Sequence, residues 1–216
     1  MHLRIAEEVH GLLIAGMLLA VVGYFLHPAA GFLFLALTVF TAWFFRQPVL
    51  AVEADPAAVY GPAWGTVTSV RDADTGPGEP PERIVSIFLS IFDVHFQCAP
   101  VAAAVEAVDY TPGKFLNAMK EDSSAANERN RVRFRLPRTE ERIDVVQIAG
   151  LIARRIVCRV KPGSSVRAGE YYGLIRFGSR VDVRMPARFE IRVNPGDRVR
   201  GPKTVLATIP QPFEAE

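Results

Sequence analysis

Gly178 and Ser179 stand side by side within residues 169–186, GEYYGLIRFGSRVDVRMP, between two β-patterned runs. In an extended segment Phe177, Ser179, Val181 and Val183 share one face, and Arg180, Asp182 and Arg184 share the other. Glycine weakens a strand, so inside one it marks a bend or a place where another group must approach the backbone. Here that group can be the hydroxyl of the next residue. The Gly178 carbonyl has no side chain to shield it, and attack by Ser179 Oγ converts the amide into an ester. Elimination from the ester leaves dehydroalanine on the new N-terminus, which hydrolyses to a pyruvoyl ketone. A Gly-Ser pair taken alone is more often a turn, so the surrounding chain has to supply the rest of the case.

A proton carrier is available at residues 84–98, IVSIFLSIFDVHFQC, which predict one long strand, bent or bulged because it exceeds the usual length. Its odd positions place Leu89, Ile91, Asp93, His95 and Gln97 on one face, making a carboxylate and an imidazole neighbours. A lone histidine in such a run is ordinarily a satisfied core residue. An apolar setting can also tune its pKa toward proton transfer near neutrality, with Asp93 as the candidate orienting acid.

The elements around these residues read as mainly β. GPAWGTV at 61–67 is a turn feeding a strand, residues 71–81 form a solvated loop, and strands follow at 101–110, 132–136, 143–148 and 152–160. Residues 115–122 predict a short helix. VKPGSSV at 160–166 and VNPGDRV at 193–199 repeat a V-x-P-G-x-x-V pattern, each followed by an apolar run. Pro-Gly fits a tight turn with positive φ at the glycine, and the repeat looks like the sandwiched hairpins of biotinyl or lipoyl carrier domains. It also disposes of a rival cleavage site, since Gly163-Ser164 has Gly196-Asp197 as its counterpart and belongs to a turn. The fold expected is a β-sandwich or barrel-sandwich over residues 59–216, with 48–58 as a linker.

Ahead of it, residues 1–47 read as a hydrophobic helical hairpin. GLLIAGMLLAVVGYFL at 11–26 and GFLFLALTVFTAWFF at 31–45 carry no charge, and His27-Pro28 punctuates the join. Each helix would be a little shorter than the ~30 Å hydrocarbon core. Trp43 to Phe45 followed by Arg46 has the composition of an interfacial anchor.

Composition excludes several functions. The formal charge is only +2, with no aromatic-basic interleaving, so no nucleic-acid partner is expected. Cys98 and Cys158 lie in apolar runs without CxxC or Cys/His spacing, which predicts free thiols in a reducing compartment and no metal. Lys114, Lys120, Lys161 and Lys203 are the only lysines, none in a setting for pyridoxal phosphate.

GLIRFGSRVDV at 173–183 resembles the processing site of the short-form phosphatidylserine decarboxylases, a pyruvoyl-dependent family. FFRQP at 44–48, near the family's FFRDP, residues 85–100 with their histidine, NERN at 127–130 and residues 146–158 extend the likeness over most of the chain after residue 44. The resemblance implies self-cleavage into a β chain, 1–178, and an α chain, 179–216, which stay together as a heterodimer, with homo-oligomers left open. It implies a pyruvoyl group made from Ser179, and no metal. The ketone would form a Schiff base with the amine of phosphatidylserine, and loss of CO₂ would give phosphatidylethanolamine. His95 matches the family histidine as proton donor or acceptor. Arg129 and Arg180 are candidates, by chemistry alone, for the headgroup phosphate. The implied location is the cell membrane, with the catalytic domain on the cytoplasmic side.

Three departures stand out. The family's SPADG is GPAWG at 61–65, placing Trp64 where an aspartate is thought to work with histidine and serine. Gln97-Cys98 replaces an expected Asn/Gln-Arg, and Ala125-Ala126 replaces acids. Trp64 keeps an alternative open, a processing-defective relative that binds phosphatidylserine without turnover.

Overall fold

The computed structural model describes residues 2–210 except 50–51, 53–54, 74, 77, 117–125, 138, 151–154 and 176–178. The chain divides into two compact units, Met1–Leu50 and Ala51–Glu216.

The first unit is the helical hairpin expected from the two uncharged runs. A short strand β1 (His2–Ile5) leads to helices α1 (His10–Leu26) and α2 (Pro28–Phe44), and strand β2 (Arg46–Val49) returns antiparallel to β1. Pro28 opens α2 at a position where the missing N–H would have had no helical partner. His27 N–H closes α1 on Gly23 O at 2.8 Å, so one residue serves both helix ends. Each helix has 17 residues, about 26 Å at ~1.5 Å per residue. No helix among the described residues is long and apolar enough to cross a membrane. The hairpin nevertheless leaves a large apolar surface uncovered, most of all at its tip, where Phe25 and Leu26 are 83% and 82% exposed.

The second unit is mainly β, as the alternating patterns require. In chain order its strands are β3 (Ala58–Tyr60), β4 (Trp64–Asp72), β5 (Glu82–Leu89), β6 (Phe96–Cys98), β7 (Ala103–Thr111), β8 (Arg129–Arg135), β9 (Arg142–Ala149), β10 (Ile156–Cys158), β11 (Ser165–Val166), β12 (Tyr171–Ile175), β13 (Ser179–Pro186), β14 (Glu190–Ile191), β15 (Arg198–Arg200) and β16 (Val205–Thr208). Eight of them form one antiparallel sheet in the order β11-β7-β8-β9-β13-β5-β4-β15. Two three-stranded sheets, β10-β12-β6 and β14-β16-β3, complete the unit. One face of the large sheet contributes Val85, Ile87, Val132, Phe134, Val145, Val181 and Val183 to the core, and Tyr172, Ile175, Leu206 and Val59 of the small sheets belong to the same cluster.

The V-x-P-G repeat finishes both edges of the large sheet. Gly163 and Gly196 take φ of 87° and 99°, which glycine adopts without strain. Their N–H groups donate to Val105 O and Val67 O, each at 2.8 Å. Val105 and Val67 in turn sit at register shifts in β7 and β4, and the short strands β11 and β15 that follow the two turns are the outermost strands. Short, bulged edges are poor templates for unwanted pairing.

The single strand expected over residues 84–98 is two. β5 ends at Leu89 in the large sheet and β6 begins at Phe96 in a small one. A turn separates them because the Asp93 carboxylate accepts hydrogen bonds from Ser90 N–H at 2.9 Å and Ser90 Oγ–H at 2.8 Å, a local bond that competes with strand continuation. The short helix expected at 115–122 falls mostly outside the described residues. Of the strand expected at 152–160, only Ile156–Cys158 is described as strand.

Candidate active site

β13 lies in the middle of the large sheet, paired along its length with β5 and over its first six residues with β9. Its first residue is Ser179, opposite Leu89 on one side and Ala149 on the other. The side chain is fully buried, and among the described residues Oγ has no hydrogen-bond partner. An unpaired buried hydroxyl costs about 1–3 kcal/mol, so such a group stands out where most buried polar atoms are satisfied. Gly178, the expected cleavage position, lies outside the described residues.

Leu89 and Ser179 are paired in the large sheet, and residues that follow the one and precede the other in the chain are paired in the β10-β12-β6 sheet. Ser179 pairs with Leu89 at one end, while Ile175 N–H donates to His95 O at 3.1 Å and Leu174 pairs with Phe96 at the other. His95 and Ser179 are therefore held at the same junction between sheets. His95 is 1% exposed, and its Nδ1 lies 2.9 Å from the main-chain carbonyl of Asp93. A carbonyl can only accept, so Nδ1 carries a hydrogen, which leaves Nε2 as the ring nitrogen that can exchange a proton.

Asp93 is brought against His95, but through its backbone. One carboxylate oxygen accepts both bonds from Ser90, and the other accepts from Arg198 Nη2 at 2.6 Å. The acid thus fixes the turn that presents its own carbonyl to the imidazole. Arg198, from β15, is the outer anchor of this arrangement.

A chain of buried amides supports the junction from below. Asn130 Nδ2 donates to Gln147 Oε1 at 2.9 Å, Gln147 Nε2 to Gln97 Oε1 at 2.8 Å, and Gln97 Nε2 to His95 O at 3.0 Å. Asn127 Nδ2 donates to the carbonyl of Ala149, the neighbour of Ser179, at 2.8 Å. Sequence reasoning quoted NERN and Gln97 without giving them work and overlooked Gln147. The available signal was a glutamine at the centre of an otherwise apolar strand, RIDVVQIA, where an amide needs a partner.

Trp64 and Cys98, two of the departures from the family pattern, are packed rather than loose. Trp64 opens β4, and its ring stacks on Tyr171 at 6.1 Å, with Tyr171 in turn edge-on to Phe96 at 5.4 Å. Gly201, at φ 56°, lies so close that an added Cβ would run into the Trp64 ring. Gly201→Ala is expected to destabilise the protein by about 2–4 kcal/mol through the clash and the left-handed backbone together, measurable as a lowered urea midpoint. Cys98 is fully buried and donates its S–H to Gly61 O at 3.4 Å. Burial pushes its pKa far up, so the thiol stays protonated and is no competing nucleophile.

Arg129 and Arg180 are on the other side of the sheet. Strand alternation puts Ser179 and Val181 on the core face and Arg180 and Asp182 opposite. Arg180 is 3% exposed and spends its guanidinium within the protein, with Nε on Asp182 at 2.6 Å and Nη2 on Asp182 at 3.0 Å and Ser86 Oγ at 2.9 Å. Ser179 and His95 thus lie at the same junction, with the Asp93 carbonyl on His95, while Arg129 and Arg180 lie on the opposite face of the sheet. Among the described residues no His/Cys/Asp/Glu group could hold a metal ion.

Comparison with known proteins gives this geometry a family. The phosphatidylserine decarboxylase family model matches residues 37–207. A phosphatidylserine decarboxylase proenzyme of Saccharopolyspora erythraea is 46% identical over 184 residues, covering 83% of this chain and 78% of that protein. Proenzymes of the same name from Burkholderia mallei and Cereibacter sphaeroides are 42% and 44% identical, over 89% and 83% of this chain and 90% and 78% of their own. With the match spanning both the hairpin's end and every strand of the junction, the chain belongs to the phosphatidylserine decarboxylase family.

Proposed function

We propose that this chain is a zymogen that cuts itself between Gly178 and Ser179 and then decarboxylates phosphatidylserine to phosphatidylethanolamine. The observation that carries the reading is Ser179 Oγ, buried, without a partner among the described residues, and held at the same sheet junction as His95. His95 Nε2 takes the hydroxyl proton as Oγ adds to the Gly178 carbonyl and returns it to the departing nitrogen, giving the ester. Removal of the Ser179 α-proton then expels the Gly178 carboxylate, and water releases ammonia from the residue left behind.

The residues fit a pyruvoyl group at this position, since converting Ser179 to a ketone removes a buried hydroxyl that has no partner among the described residues. Such a group supplies a covalent carbonyl that takes up the electrons released with CO₂. The chain itself orients the site through the Asn130-Gln147-Gln97 amides, excludes water by burying residue 179, and holds a proton at His95. After the cut, β13 remains bonded to β5 and β9, β15 to β4 and β16 to β3, so the α and β chains stay assembled. Membrane association fits both the family's place in phospholipid synthesis and the uncovered apolar hairpin, and we assign the catalytic unit to the cytoplasmic face.

Intact-mass measurement of purified protein tests the reading. Two fragments are expected, 1–178 and a 179–216 piece whose N-terminus resists Edman degradation and reacts with a hydrazine. A single uncut chain under all conditions defeats it.

A second reading, a processing-defective relative, is favoured by one observation: the Trp64 ring fills the slot against Tyr171 and Gly201 where the family pattern carries a carboxylate. Trp64→Asp separates the two. If the native chain is already cut, the substitution is expected to lower thermal stability and add nothing to cleavage. Conversion of an uncut protein to a cut one by this change would establish the second reading.

A further inference from the structure

The face of the large sheet turned away from Ser179 carries a cavity of about 390 Å³. Arg71 of β4, Arg129 and Arg131 of β8 and Arg184 of β13 line it, with Asp109 and Asp182 as the only acids of its described lining. Asp182 is already neutralised by its two bonds from Arg180. Asp109 is exposed, where solvent screens its charge. Arg131 and Arg184 are each bonded from the side, to Asp144 at 2.6 Å and to Glu82 at 3.2 Å, which fixes their heads without filling the cavity.

Arg71 differs. Its Nε is buried and, among the described residues, has no hydrogen-bond partner. A buried guanidinium donor left unsatisfied is costly, and the Arg71 side chain lines a cavity bounded by four arginines and two aspartates. A guanidinium has five N–H donors, so Arg131 and Arg184 keep some beyond those given to Asp144 and Glu82, and with Arg71 they reach the cavity from three strands. A tetrahedral anion with several terminal oxygens suits donors arriving from several directions.

We propose that this cavity is an anion site that takes a phosphate group, free or as the ester of a lipid headgroup, on the opposite face of the sheet from Ser179. The volume is within the range that holds a small molecule, so the ester substituents fit beside the phosphate. Arg71 and Arg184, which line the cavity from β4 and β13, are its two principal contacts. The assignment does not depend on the chemistry at Ser179, and the uncut Ser179→Ala chain is expected to show the same site.

Full-length protein in neutral detergent, wild type and Ser179→Ala, is titrated with inorganic phosphate against chloride at equal ionic strength, following thermal stability. It is then mixed with phosphatidylcholine vesicles with and without phosphatidylglycerol. Phosphate is expected to raise the melting temperature where chloride does not, and Arg71→Gln and Arg184→Gln are each expected to weaken that response about tenfold. Arg135→Gln, a surface arginine outside the cavity, is expected to change nothing. Loss of the phosphatidylglycerol-dependent vesicle binding in the same two variants assigns the site to headgroups. Vesicle binding unaffected by them, with the phosphate response lost, assigns it to free phosphate. No phosphate effect beyond chloride, or a full response in both variants, overturns the proposal.

Discussion

Ser179→Ala is expected to leave a single uncut chain with no hydrazine-reactive carbonyl and no decarboxylation above background. The substitution removes the hydroxyl proposed to attack the Gly178 carbonyl, and the Cys98 thiol cannot replace it, being protonated and bonded to Gly61. The expected loss is therefore that of the whole catalytic cycle rather than of one contribution to it. Stability should move the other way. Ser179 Oγ is buried without a partner among the described residues, and removing an unsatisfied hydroxyl takes away a cost of about 1–3 kcal/mol while giving up only a small contact area. The variant is expected to melt at or above the temperature of the uncut wild-type chain. A gain in stability accompanied by complete loss of processing is what a strained functional position predicts. A destabilised Ser179→Ala protein would mean that the hydroxyl has a structural partner and is not poised for attack.

Much of this site was legible because its signals are local. A glycine-serine pair in a strand, a histidine in an apolar run and two uncharged stretches each announce themselves over a few residues. The V-x-P-G repeat predicted turns with positive φ, and Gly163 and Gly196 have them. What the sequence concealed depends on side chains meeting across the fold. Residues 84–98 alternate well enough to be one strand, yet Ser90 and Asp93 bond to each other and break it. Alternation did place Arg180 opposite Ser179, but only the structure shows the guanidinium locked to Asp182 and Ser86. Nothing in the spacing of Gln97, Asn130 and Gln147 reveals that β6, β8 and β9, from two different sheets, link them into one chain of amides.

The same distinction decides how His95 is positioned. His95→Gln is expected to slow self-cleavage by about 10²–10⁴, seen as persistence of the uncut mass, because a glutamine can fill the space but cannot take a proton near neutrality. The loss should be kinetic and not a failure to fold, so the variant is expected to retain a cooperative melt, lowered by about 1–3 kcal/mol for the Asp93 carbonyl left without its imidazole. Asp93→Asn then tests what holds the ring. If the carboxylate were the orienting acid of a hydroxyl-imidazole-carboxylate relay, its removal would cost ~10⁴ in rate. The geometry assigns that work to the main-chain carbonyl, which asparagine keeps, along with a side-chain oxygen able to accept from Ser90. Asp93→Asn is accordingly expected to slow cleavage less than about tenfold, with Arg198→Met similar, since the Arg198 guanidinium reaches Asp93 only at its outer carboxylate oxygen, bonds Thr66 Oγ1 besides, and belongs to a side chain that is 57% exposed. A collapse in cleavage rate with Asp93→Asn, as large as that of His95→Gln, would return the orienting role to the carboxylate.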